Sequence, residues 1–228
     1  MTASKTIPIA VIDYGIGNTF SILRALSHLG YSPEMVQEPN KLQKYTHAIL
    51  PGVGAFADGI KRLNERGWTD IIRQWCADGH YLMGICLGMQ MLFDESEEFG
   101  VHQGLGIIPG KVKRFPDASI MDGVLEYKVP HVGWSNLQLG SNQNSWLGGA
   151  LEGLKETDEF YFVHSYIPQP SNSNQIIATT KYADLDFCSV VSSNNVWGCQ
   201  FHPERSAEAG LRILHNFCQL KSVKATFK

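Results

Sequence analysis

A chain of 228 residues, 43% hydrophobic and 18% charged, is long enough for one α/β domain with a well-buried core and short for two. Its net charge of −3 gives no electrostatic case for binding nucleic acid or an anionic membrane, and no apolar run reaches bilayer-spanning length. The five cysteines, at 76, 86, 188, 199 and 218, form no Cys-x-x-Cys pair and no framework spacing, so a reducing cytoplasm is expected.

Residues 7–13 (IPIAVID) are a nearly continuous apolar run, as in a strand buried on both faces of a parallel sheet rather than a cleaved signal. A Gly-rich turn at 14–18 leads into a helical pattern through Leu29, which Gly30 ends. Residues 47–50 are a second short strand, closed by Pro51-Gly52-Val53-Gly54. Residues 56–76 read as two helical pieces broken near Gly67, residues 81–85 as a strand, and residues 87–93 as the next helix. Alternating strands and helices argue for a parallel α/β sheet. Past Gly100, strand-like pieces dominate at 110–115, 129–139, 160–167, 175–182, 188–191 and 196–201, with a turn at Asn194-Asn195. These predict hairpins that extend a mixed, mostly parallel sheet. Residues 206–220 are the closing helix. No repeat or linker divides the chain, so 1–228 is expected to be a single domain.

The strongest chemical signal is Cys86 in Gly84-Ile85-Cys86-Leu87-Gly88, between a strand and a helix pattern. This is a nucleophile-elbow layout with sulfur in place of oxygen. The glycines suit a turn too tight for a Cβ, and the helix start favours a thiolate. A thiol nucleophile needs a base and an orienter for that base. The strand at 196–201 empties into His202-Pro203-Glu204, where residues i and i+2 of an extended segment point to the same side. Glu204 can therefore hold the His202 ring. The backbone N–H of Leu87, just after the nucleophile, is placed to stabilise an oxyanion. Gly15-Ile16-Gly17 lacks the third glycine of a dinucleotide fingerprint, since Phe20 takes its place. No cluster has metal-ligand spacing. Neither a cofactor nor a metal is expected.

Together, Pro51-Gly52-Val53-Gly54, Gly84-Ile85-Cys86-Leu87-Gly88-Met89-Gln90 and Gln200-Phe201-His202-Pro203-Glu204 resemble the class I (triad) glutamine amidotransferases, over nearly the whole chain. Within that family three further segments are similar to the glutaminase subunits of imidazole glycerol phosphate synthase, in histidine biosynthesis. They are Asp13-Tyr14-Gly15-Ile16-Gly17-Asn18, Pro130-His131-Val132-Gly133-Trp134 and Phe162-Val163-His164-Ser165-Tyr166. The resemblance implies a flavodoxin-like fold and hydrolysis of glutamine through a γ-glutamyl thioester. Cys86 would be the nucleophile, His202 the base and then acid, and Glu204 the orienter. A second oxyanion donor would come from Gly52, Val53 and Gly54, a loop whose glycines allow a peptide to reorient when a partner binds. Gln90 and Glu98 would lie near the amino-acid end of the substrate, with His164 and Ser165 opposite. Read on their own, Glu98 belongs equally to a solvated acidic run at 94–98, and His164 equally to a satisfied core.

Ammonia in water near neutral pH is mostly ammonium, so an acceptor enzyme is expected as a separate chain docked over the site. The resemblance implies a (β/α)8 barrel cyclase subunit in a heterodimer, met by Asn18, Trp134, Tyr161 and Arg205. Arg205 stands where the family usually has lysine, and Ser135 where asparagine follows the tryptophan; an Arg and a Lys contact are not equivalent. Two alternatives follow: a paralogue that feeds ammonia to another acceptor such as a surface-polysaccharide sugar, and a non-catalytic binding or regulatory relative. The second is disfavoured by the presence of Cys86, His202 and Glu204 together.

Overall fold

The computed structural model describes residues 8–116, 120–121, 124–125 and 127–221; Ile7 of the expected first strand lies outside them. The first half alternates β1 (Pro8–Ile12), α1 (Thr19–His28), β2 (Ser32–Val36), β3 (His47–Leu50), α2 (Phe56–Glu65), α3 (Trp68–Ala77), β4 (Tyr81–Ile85) and α4 (Leu87–Gln90). The second half contains strands β5 (Phe93–Ser96), β6 (His102–Gln103), β7 (Ile108–Arg114), β8 (Ile120–Met121), β9 (Val124–Leu125), β10 (His131–Asn136) and β11 (Gln138–Leu139). It continues through β12 (Glu159–His164), β13 (Tyr166–Pro170), β14 (Ile176–Tyr182), β15 (Leu185–Ser193) and β16 (Val196–Cys199) to α5 (Ala207–Gln219).

Eight strands form the main sheet in the order β11-β14-β15-β16-β4-β3-β1-β2. β2, β1, β3, β4 and β16 run parallel, while β15, β14 and β11 add antiparallel neighbours. This is the expected mixed sheet, extended on its far side by β14, β15 and β11, whereas β10 and β12, and β13, β7, β5 and β6, form separate smaller sheets. The apolar run of β1 is explained by its faces. Ala10 and Ile12 pack with Trp68, Trp75 and Leu63 of α2 and α3, whereas Ile9 and Val11 pack with Leu26 of α1 and Ile213 and Phe217 of α5. Helices thus cover both faces, and all four strand residues are fully buried.

The helix boundaries follow local signals. Asn18 Oδ1 accepts the Ser21 N–H and caps α1, and Gly30 takes a left-handed φ of 83° just past its end. β2 carried no sequence signal. It is an edge strand, largely exposed, and holds Pro33 where a ladder donor is dispensable.

Three expectations are corrected. The helix expected over 87–93 ends after one turn at Gln90, and Phe93 begins β5. The carbonyls of Met91 and Leu92, which a longer helix would use, accept instead the amides of Leu105, Ile107 and Ile108. The runs at 129–139 and 160–167 are each two strands in different sheets, since β10 pairs with β12 while β11 joins β14 in the main sheet, and β13 pairs with β7, so the run at 110–115 lies in a separate four-stranded sheet. The acidic run at 94–98 is not simply solvated. Asp94 accepts the Gly110 N–H, Glu95 pairs with Lys111 and Glu97 with Lys113. Among the described residues, no helix is long and apolar enough to cross a membrane.

Candidate active site

The carboxyl ends of β1, β3, β4 and β16 converge, as expected for a site in an open α/β sheet. Tyr14, after β1, donates its hydroxyl to Pro51 O at 2.9 Å and ties the first loop to the loop after β3. At the end of β4, Cys86 adopts φ 54° and ψ −112°. A non-glycine residue held there stores on the order of 1–3 kcal/mol of strain. The conformation is fixed from both sides: Cys86 N–H donates to Cys199 O at 2.8 Å, and its carbonyl accepts the Gln90 N–H at 3.1 Å.

The elbow glycines are present because three stretches of backbone touch. A Cβ on Gly84 would lie 2.6 Å from Gly88 O, one on Gly52 would lie 2.6 Å from Gly88 N, and one on Gly88 would overlap Leu50 O. This contact seats the Pro51–Gly54 loop directly against the nucleophile turn.

β16 runs beside β4 with Cys199 opposite Ile85, so the residues after it emerge next to Cys86. His202 Nδ1 and Glu204 Oε1 are 2.9 Å apart. They meet across a 3-10 turn, Pro203–Arg205, and not along the extended segment expected from sequence. Both side chains are buried, at 5% and 1% exposure. Glu204 Oε2 has no hydrogen-bond partner among the described residues. Burial alone would lower the His202 pKa. Hydrogen bonds to Cys86 and Glu204 outweigh it and raise the pKa to about 10. α4 is a single turn, so the helix dipole at Cys86 is weaker than the expected longer helix would supply.

A cavity of about 290 Å³ opens at the thiol. Val53, Gly54, Leu87, Gln90, Glu98, Val163, His164, Ser165 and His202 are among the residues that line it. Gly52 does not line it and lies behind, packed on Leu87 and Gly88. Glu98 also accepts the Phe56 N–H at 2.6 Å and so caps α2, whose Ala55 offers no side-chain cap. His164 has both anticipated characters. It lines the cavity, and it is a buried, hydrogen-bonded histidine whose pKa burial lowers to about 3. Trp134, half exposed, meets Tyr161 edge-on at 5.9 Å, and the Arg205 guanidinium lies 4.4 Å above the Tyr161 ring. These three form one patch around Tyr161, whose strand β12 also carries Val163 and His164 of the cavity lining. Asn18 is the α1 cap and precedes the exposed Phe20.

Sequence reasoning missed Gln200. This fully buried residue places Nε2 3.7 Å from Cys86 Sγ and accepts from Gln90 Nε2 at 3.0 Å through Oε1. A lone glutamine ending an apolar strand run was the available signal. Among the described residues, no group of three or more His, Cys, Asp or Glu side chains is arranged to hold a metal ion.

Comparison with known proteins yields a match to the family model "Glutamine amidotransferase class-I" over residues 10–220. Imidazole glycerol phosphate synthase subunit HisH 1 of Legionella pneumophila (strain Lens) is 40% identical over 93% of this chain and 99% of that protein. The HisH subunit of Moorella thermoacetica is 42% identical over 93% and 95%. Among solved structures, a glutamine amidotransferase superposes with TM-score 0.64 at 21% identity, covering 92% of this chain and 98% of that one. The structure of PurLQS from Thermotoga maritima superposes with TM-score 0.69 at 19% identity, covering 93% and 97%. At such identities these two establish the fold alone.

Proposed function

Because this chain belongs to the class I glutamine amidotransferase family, we propose that it is the glutaminase subunit of an imidazole glycerol phosphate synthase. The observation that carries the chemistry is the Cys86–His202–Glu204 group, assembled on a strained elbow at the mouth of a cavity. Full-length similarity of about 40% to HisH subunits supports the histidine branch over a sugar-amidating paralogue. The intact triad argues against a non-catalytic relative.

The thiolate of Cys86 attacks the side-chain carbonyl carbon of glutamine. The resulting oxyanion is held by the Leu87 N–H and by a peptide of the Gly52–Gly54 loop, with Val53 and Gly54 facing the cavity. His202 enters as the imidazolium and gives its proton to the leaving nitrogen; the C–N bond breaks, releasing ammonia and leaving the thioester. The now neutral His202 takes a proton from water, hydroxide displaces the thiolate, and glutamate leaves. Glu204 keeps the ring in register throughout and offsets its charge. Gln90 and Glu98 would lie near the substrate's amino-acid end, with His164 and Ser165 opposite.

Free ammonia is protonated and lost, so the reading includes a separate acceptor: a cyclase subunit of (β/α)8 barrel type, docked as a heterodimer over Trp134, Tyr161, Arg205 and Asn18. The setting is the cytoplasm, where the five free thiols remain reduced. The test is glutamine hydrolysis by the purified chain, alone and with its synthase subunit. Slow turnover that rises with the partner and vanishes in Cys86→Ala is expected; turnover surviving in Cys86→Ala would overturn the assigned nucleophile.

A further inference from the structure

We propose that Ser135, His131 and His164 form a one-directional hydrogen-bond relay that ends on the Tyr166 carbonyl and holds it where Gln90 also donates to it, so that Gln90 and Gln200 keep their orientation and Gln200 donates to Cys86 Sγ. Ser135, His131 and His164 are positioning residues, while Gln200 touches the reacting atom. The functional part of the inference rests on the glutaminase reading.

The direction is fixed by one carbonyl. His164 Nδ1 lies 2.9 Å from Tyr166 O, and a carbonyl only accepts, so Nδ1 carries the hydrogen. His164 Nε2 is then a lone pair. His131 Nδ1, 3.3 Å away, must donate to it. That leaves His131 Nε2 to accept from Ser135 Oγ at 3.2 Å. Every donor in the series points from Ser135 towards Tyr166. Burial lowers the pKa of His131 to about 4 and that of His164 to about 3, so both rings stay neutral and the polarity is kept.

The geometry is built rather than incidental. His131 and His164 are directly opposed in the β10–β12 register. The His131 ring is held between two aromatic faces, Phe162 at 5.0 Å and 21° and Tyr182 at 4.0 Å and 25°. Its in-plane nitrogens are therefore aimed at Ser135 and His164.

Tyr166 O has a second donor, Gln90 Nε2 at 3.1 Å. With its nitrogen committed there, Gln90 can only donate to Gln200, whose Oε1 accepts at 3.0 Å. The Gln200 amide is thereby oriented with Nε2 towards Cys86 Sγ at 3.7 Å. The opposite His164 tautomer would set a lone pair against Tyr166 O and push that carbonyl off Gln90.

The experiment uses the full chain with its synthase subunit. Long-range ¹⁵N–¹H NMR of the imidazoles should show both His131 and His164 as neutral Nδ1–H tautomers. An Nε2–H tautomer or an imidazolium at either residue at neutral pH overturns the relay. Replacing Gln200 by the near-isosteric Met should lower kcat about tenfold. Ser135→Ala should lower kcat about threefold with the glutamine KM little changed, and Ser135→Thr should restore it. Wild-type kcat in both Gln200→Met and Ser135→Ala overturns the functional part. The tautomers are read without turnover, so a chain inactive towards glutamine would refute the glutaminase reading while leaving the relay directly testable.

Discussion

Glu204 Oε1 sits 2.9 Å from His202 Nδ1 across a single 3-10 turn, which leaves His202 Nε2 as the nitrogen that can serve Cys86. Replacing Glu204 by Gln keeps the shape, removes the charge that stabilises the imidazolium, and allows the ring to adopt the wrong tautomer. We expect kcat to fall by about 10²-fold or more with the glutamine KM nearly unchanged. Steady-state glutaminase kinetics check this, and a raised KM at normal kcat would contradict it.

The same contacts make stability depend on pH. His202 is raised from an ordinary 6.5 to about 10, with burial opposed by Cys86 and Glu204. The folded state therefore holds a proton that the unfolded chain releases above about 6.5. Its stabilising contribution is fully present below about 6.5 and is lost as pH rises through about 10. Thermal unfolding of wild type should show Tm declining more steeply over this window than in His202→Asn. Parallel curves would show that His202 gains no proton on folding.

Much of the site was legible because close backbone contact constrains sequence locally. Gly84 and Gly88 must lack side chains at a turn where strand, elbow and neighbouring loop touch, and that requirement appears as a five-residue motif. β1 was legible for a related reason, since burial on both faces leaves little room for polar residues. What was hidden depends on distant partners. The early end of α4 is imposed by the amides of Leu105, Ile107 and Ile108, and nothing within 87–93 encodes it. Likewise, Gln200 acquires its role only where Gln90 and Cys86 meet it.

Gly88→Ala tests the packing directly. Its Cβ would overlap Leu50 O and also approach Pro51, and backbone cannot yield as a side-chain tip can. A loss of about 3 kcal/mol in urea unfolding is expected, together with loss of glutaminase activity as the elbow and the Pro51–Gly54 loop separate. Gly79→Ala is a useful contrast: its Cβ meets nothing within 4 Å, and only the positive φ of 88° opposes it, so activity should be retained with a smaller loss of stability.

Glu98 joins the cavity to the start of α2, since its Oε2 accepts the Phe56 N–H. Glu98→Ala should cost about 1 kcal/mol of stability through the lost cap and raise the glutamine KM if Glu98 also faces the substrate. Glu98→Gln retains an acceptor for the amide but no charge. It should recover most of the stability and little of the affinity. Recovery of both together would show that Glu98 serves only as a cap.

The Trp134–Tyr161–Arg205 patch brings an exposed ring, an aromatic contact and a cation–π pair together. A half-exposed tryptophan with these neighbours has the make-up of an interface anchor. Trp134→Ala should weaken binding of the synthase subunit by about 30-fold, corresponding to about 2 kcal/mol, and leave the slow hydrolysis by the isolated chain unchanged. Arg205→Lys retains a cation but loses the planar stacking over Tyr161, so its affinity should fall less than that of Arg205→Ala. Titration of each variant with the synthase subunit, alongside glutaminase assays of the chain alone, separates docking from chemistry. A Trp134→Ala chain that binds normally would place the docking surface elsewhere.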